Sequence, residues 1–167
     1  MTGAVEVAAF RAAMARLGAA VNIITTDGPA GRHGMTASAV CSVSDEPASL
    51  LVCINRASRM HAAITANGVL SINVLAGDHQ ELSGLFASRG LSVEDRFARA
   101  EWDILDNGSP ALTGALCTFG CRVASISDVG THGVFFCDVT ELRAGERGEG
   151  LVYFGRGYHR LPMECAA

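Results

Sequence analysis

There is no lysine in this chain: all thirteen basic residues are arginine. That absence excludes Schiff-base catalysis, pyridoxal phosphate held as an internal aldimine, and a phosphate loop built on lysine. Any phosphate bound here is held by guanidinium groups, hydroxyls and backbone N–H groups. Charge is sparse and the net charge is −4, with no basic stripe, which disfavours nucleic acid and anionic membranes as partners. No apolar run approaches the roughly 18 residues of a membrane helix, and no basic-then-apolar leader opens the chain, so the expectation is a cytoplasmic protein. Rossmann, nucleophile-elbow and zinc-protease motifs are all missing, no Cys or His stands at metal-ligand spacing, and no metal is expected. An enzyme with these gaps takes its hard chemistry from a cofactor.

What is present suits one domain, 1–167, with flexible termini at about 1–5 and 163–167. Nearly half the 167 residues are hydrophobic, enough for one core and too few for two comfortable ones. Of the six cysteines (Cys41, Cys53, Cys117, Cys121, Cys137 and Cys165) most lie in apolar strand-like runs. They read as buried free thiols of a reducing compartment.

Residues 6–17, EVAAFRAAMARL, place apolar side chains at helical spacing. AVNIITT follows as a strand, and DGPAGRHG carries hairpin chemistry. MTASAVCSVS has period two, with Thr36, Ser38, Val40, Ser42 and Ser44 on one face. SLLVCIN is a strand before a short helix at 60–66; VLSINVL is a strand, and HQELSGLFAS and SVEDRFAR are helical. Residues 102–110 read as loop with one short strand. ALCTFGCRVASISDV, GVFFCDVTELRA and GLVYFGRGYHRL are three long strands with short Gly-rich links, so antiparallel neighbours are expected. The sum is a mainly β, α+β domain.

Five features carry candidate chemistry. The hydroxyl face of MTASAVCSVS is a polar strand face, either ligand-lining or solvent-facing. NRASRMH turns a strand into a helix start, with Ser58 at the cap and Arg56 and Arg59 beside it, either a phosphate site or a simple N-cap. Arg96 stands in EDRF, and His132 in VGTHGV at the turn between two long strands. YFGRGYHRL clusters Tyr153, Arg156, Tyr158 and His159.

Taken in order, these segments resemble the flavin reductase-like family of split barrels. The likeness runs from FRAAMARLGAAVNIITTDGPAGRHGMTASAVCSVSDEP through NVLAGDHQ, DRF, GTH and YFGRGYH. It is nearest to the reductase components of two-component monooxygenases of the 4-hydroxyphenylacetate and pyrimidine-utilisation types. The resemblance implies a six-stranded antiparallel Greek-key split β-barrel with a few short helices, working as a homodimer with flavin near the subunit interface. It implies FMN or FAD as flavin and NADH or NADPH as hydride donor, and a flavin-dependent oxygenase as the partner receiving reduced flavin. By the same likeness, Met35, Thr36, Ala37, Ser38, Ala39 and Ser42 line the flavin ring. Asn55, Ser58, Arg59, Met60 and His61 surround the ribityl chain and phosphate, while Phe86 and Arg96 reach the flavin's far end. His132 and Tyr158 position the nicotinamide, with no acid–base residue required. Gly133 stands where the family usually has a larger residue, which implies a looser pocket beside His132. Rival expectations are a cob(II)yrinic acid a,c-diamide reductase, a pyridoxamine phosphate oxidase-like barrel and a non-catalytic flavin-binding module.

Overall fold

The computed structural model describes residues 4–145 and 148–163; Cys165 and the outermost terminal residues lie outside them. Helix α1 (Val7–Met14) starts where the Glu6 carboxylate accepts from the N–H groups of Ala8 and Ala9. Strands β1 (Ala19–Ala20), β2 (Asn22–Thr26), β3 (His33–Ala37), β4 (Val40–Asp45) and β5 (Ala48–Asn55) follow, then α2 (Arg59–Asn67) and β6 (Val69–Val74). A 3₁₀ turn at Gly77–His79 leads into α3 (Gln80–Ala87) and α4 (Val93–Phe97). The rest is strand: β7 (Trp102–Ile104), β8 (Pro110–Leu112), β9 (Cys117–Val129), β10 (His132–Ala144), β11 (Glu149–Phe154) and β12 (Gly157–Pro162).

The fold is mainly β, and every strand pair is antiparallel. The main sheet has seven strands in the order β3-β2-β6-β9-β10-β5-β4. Its two edges, β3 and β4, are joined by Ser38 and Ala39 alone. Three Cα steps reach about 11 Å, whereas the edges of a flat seven-stranded sheet stand about 29 Å apart. The sheet is therefore rolled, and its edges meet at the Ser38–Ala39 corner. A second sheet, β1-β11-β12, is joined to it by a ladder in which Val21, Leu75 and Leu151 exchange backbone bonds of 2.9–3.1 Å. A ribbon of β7 and β8 completes the set.

Two cores result. Inside the roll, Ile24, Val52, Ile54, Leu70, Ile72 and Phe135 pack beneath Met60 and Ile64 of α2. On the outside, Val21, Ile23, Leu75, Leu151 and Leu112 meet Leu82 and Phe86 of α3 and Phe97 of α4. Strand β2 lies between them, with Ile23 in one core and Ile24 in the other, so all five of its residues are buried. That double burial is why NIITT has no polar alternation.

The structure carries more, shorter strands than six. MTASAVCSVS breaks at the corner, so its hydroxyls do not share one face. GLVYFGRGYHRL breaks into a hairpin at Gly155 and Arg156, both at positive φ (60° and 66°), the geometry of a two-residue turn. Cys121 and Cys137 are buried free thiols, but Cys41 is exposed and Cys53 and Cys117 are half-buried. Among the described residues no helix is long and apolar enough to cross a membrane.

Candidate functional site

A cavity of about 620 Å³ opens between the start of α2, the start of β3 and the α3–α4 segment. Arg59, Arg89, Arg96 and His33 line it, and no Asp or Glu does. In a chain with seventeen acids against thirteen bases, that local bias marks a site for an anion. Arg96 donates from its terminal nitrogen to the Ser88 carbonyl (2.5 Å), yet its Nε is buried with no acceptor. A buried cationic donor left open is costly unless a ligand satisfies it, and a phosphate group fits both its charge and its hydrogen-bonding need. Sequence reasoning missed Arg89. The available signal was a second arginine, Ser88-Arg89-Gly90, just past a helix end and ahead of DRF.

Ser58 is the N-cap of α2. Its hydroxyl donates to the Asn55 carbonyl (2.7 Å) and accepts from the His61 N–H (3.1 Å). In this arrangement its proton goes to the Asn55 carbonyl and its oxygen to the helix cap. The N–H groups of Arg59 and Met60, in the first turn of a helix, have no intrahelical acceptor and are open to an anionic ligand. The Met60 side chain itself is in the core. Phe86 is also a core residue, 2% exposed, edge-on to Phe97 at 5.2 Å. It shapes the cavity indirectly: a Cβ on Gly34, which lines the cavity, would sit 2.5 Å from the Phe86 ring.

Asn55 caps the end of β5, where its side chain accepts from the Ala57 N–H (2.9 Å). Across the strand pair it faces His132. The His132 turn is bolted to this rim: the Arg56 N–H donates to the Thr131 carbonyl (3.0 Å), and the Arg56 guanidinium reaches Asp128 (3.4 Å). His132 is exposed, with Nδ1 2.9 Å from the Thr131 hydroxyl.

A second depression, about 1,210 Å³, lies between α1 and the sheet corner. Ser38, Ala39, Cys41, Met14, Leu17 and Tyr153 are among its walls. Met35 of the arginine cavity and Ser38 of this groove are three residues apart in the chain, at most about 11 Å, so the two hollows adjoin. Ser42 is exposed on β4, and Ala37 is buried. Thr36 is committed elsewhere, donating to the Ser83 carbonyl (2.6 Å). Tyr158 stands with α3 and β11, its hydroxyl 3.0 Å from that of Ser83 and its ring against Tyr153. No hydrogen bond or ring contact among the described residues joins it to the His132 turn.

A rolled antiparallel sheet with an arginine-lined cavity beside an apolar groove has the charge and shape to take a ligand that carries a phosphate and an apolar ring. Residues 14–162 match the flavin reductase-like domain, and the chain belongs to that family. It is 54% identical over 163 residues to the FMN reductase (NADH) RutF of Pantoea ananatis, covering 98% of this chain and 85% of that protein. It superposes on BorF, the flavin reductase component of a bacterial two-component tryptophan halogenase, with a TM-score of 0.89. Identity there is 28%, over 95% of this chain and 100% of the other. The styrene monooxygenase flavin reductase of Pseudomonas putida S12 gives 0.83 at 27% identity, over 93% and 99% of the two chains.

Proposed function

We propose that this protein is an NADH-dependent FMN reductase, a single-domain cytoplasmic enzyme that passes reduced flavin to a flavin-dependent oxygenase. The observation that carries the reading is the carboxylate-free arginine cavity with the unsatisfied Nε of Arg96. The names of the relatives above support the choice of FMN, of NADH and of an oxygenase-type partner.

The flavin ring system, when bound, supplies the hydride-accepting chemistry. The chain's own residues bind and orient. Arg59, Arg89, Arg96 and the first N–H groups of α2 hold the phosphate. The backbone from Met35 to Ala39 leads from that phosphate to the groove at the corner, which takes the ring. His132, on the rim next to Asn55, hydrogen-bonds the dinucleotide and orients its nicotinamide over the groove. No side chain moves a proton in this scheme; catalysis rests on orientation and exclusion of water.

The rolled sheet is read as the family's split barrel, and the working unit as a homodimer. Support for the dimer comes from α1, which has no buried residue: Val7, Phe10 and Met14 are 45–61% exposed along it, and Leu17 beyond it 62%. An amphipathic helix with its apolar face in water is poorly placed in a monomer, and here it borders the groove that takes the flavin ring.

Stopped-flow mixing of NADH with FMN-loaded protein tests the reading. Rapid bleaching of the flavin absorbance with a saturable dependence on NADH is expected. FMN that binds but is not reduced by NADH points instead to a non-catalytic flavin carrier and overturns it.

A further inference from the structure

Gly133 follows His132 on β10, and a side chain at this position would force the His61 ring to move. A Cβ there would lie 2.5 Å from Nε2 and 2.9 Å from Cδ2 of His61, far inside van der Waals contact. The imidazole reaches this notch from the first turn of α2, where its backbone N–H donates to the Ser58 cap (3.1 Å). Its ring also packs edge-on against Phe135, at 5.0 Å between centroids and 69° between planes. Nε2 is buried and meets no hydrogen-bond partner, so the ring is seated by shape and not by a polar bond. The room that glycine leaves beside His132 is therefore filled, which corrects the expectation of a looser pocket there.

This contact joins the first turn of α2 to the residue beside His132. The His132 turn is tied to the end of β5 through Asn55 and Arg56. The N–H groups read as holding the anion lie in the first turn of α2. His61 belongs to that turn and presses on the residue next to His132. We propose that His61 is a positioning residue for the dinucleotide: its ring, seated in the notch at Gly133, fixes the His132 turn relative to the anion-binding start of α2. The proposal rests on the reading of His132 given above. It requires glycine at 133 because His61 is present, so the two residues must act as a unit.

The test is a double-variant cycle of Gly133→Ala, His61→Ala and both together, measured on FMN-loaded protein. The readouts are the Kd for unreactive NAD⁺ by calorimetry, the KM for NADH, and the Kd for FMN. Gly133→Ala is expected to weaken NAD⁺ and raise KM about tenfold, and His61→Ala about threefold, by forced overpacking and lost packing respectively. The double variant is expected to be no worse than His61→Ala, because the added methyl then has space. The FMN Kd is expected to stay within about twofold throughout, because neither His61 nor Gly133 lines the arginine cavity, unlike the expectation that set His61 at the ribityl chain and phosphate, whereas a general loosening of the fold would move all three readouts together. Effects that multiply in the double variant, or an FMN Kd that rises in step with the NAD⁺ Kd, overturn the proposal. If Gly133→Ala fails to fold, the double variant compared with His61→Ala still decides, equality supporting the proposal and a further tenfold loss sinking it. His132→Ala measured alongside separates the two levels. If it leaves NAD⁺ binding unchanged, the role of His132 fails; if it weakens NAD⁺ while the double variant is multiplicative, only the role of His61 fails.

Discussion

Asn55 and His132 are cross-strand partners at the ends of β5 and β10. Their pairing carries a turn remote in sequence to the lip of the arginine cavity, because Asn55 also lines that cavity and precedes the α2 cap. The arginine cavity and the exposed imidazole thus share one rim. His132→Ala is expected to raise the KM for NADH about tenfold, the scale of one hydrogen bond to a charged or polar ligand group. FMN affinity is expected to stay near wild type. Titration of FMN fluorescence with each variant checks the second half, and a lost FMN site with normal NADH kinetics per bound flavin contradicts the assignment.

Gly34 and Phe86 form a close contact whose consequence is steric. Gly34→Ala drives a methyl into a fully buried ring and is expected to cost about 1–3 kcal/mol of stability. Phe86→Ala is expected to cost about 3–5 kcal/mol by leaving a cavity under α3. Urea unfolding of the two variants checks both figures. A Phe86→Ala protein of wild-type stability that loses FMN selectively would show that the ring touches the ligand, contrary to its place in the core.

Much of the fold was legible in the residues because their periodicity is strong. The helices at α1, α2, α3 and α4 and the strands β9 and β10 follow the pattern of apolar spacing closely. The corner at Ser38–Ala39 was not legible, since period two continues unbroken through MTASAVCSVS while the chain crosses from one sheet edge to the other. Only the closure of the roll, a tertiary event, decides where that strand bends. The hairpin at Gly155–Arg156 was legible in principle from Gly-Arg-Gly, but the flanking aromatic residues outweighed it. Site residues fared similarly. Arg59, Arg96, Asn55, Met35, Met60 and Ser58 line the cavity, although the Ser58 hydroxyl also caps α2, whereas Thr36 and Phe86 are drawn into a helix contact and the core. Each has local competitors for its hydroxyl or ring that sequence spacing does not reveal.

The buried thiols carry a pH dependence. Burial, with a smaller push from Asp138, raises the Cys137 thiol to about 12, and burial raises that of Cys121 as well, with Cys137 and Asp138 adding to it. The unfolded chain ionises these thiols at ordinary values, so above that range it binds fewer protons than the folded chain. Stability is therefore full below about pH 8.5 and falls as pH rises toward the folded values. Cys137→Ala is expected to lose less stability than wild type between about pH 8 and about pH 10.5, although it starts lower. Identical pH slopes in urea melts would contradict this. At neutral pH, a thiol reagent is expected to label exposed Cys41 quickly and Cys121 and Cys137 only on unfolding.

The uncovered face of α1 predicts its own variant. Phe10 is 56% exposed on this helix, and Phe10→Glu is expected to convert a dimer to monomers in light scattering while leaving the melting temperature of the monomer fold nearly unchanged. Wild-type protein that already scatters as one chain mass at micromolar concentration contradicts the homodimer.

The assignment of the arginine cavity to the flavin phosphate is tested most directly by comparing FMN with riboflavin, which lacks only that phosphate. Kd values for both are measured in wild type and in Arg96→Met, which keeps the length of the stem and removes the charge. Wild type is expected to favour FMN by at least about tenfold, since charge-assisted hydrogen bonds contribute about 1.5–3 kcal/mol. Arg96→Met is expected to shrink that preference about tenfold with riboflavin affinity unchanged. Equal affinity for the two flavins in wild type, or a variant that loses both alike, would contradict the account.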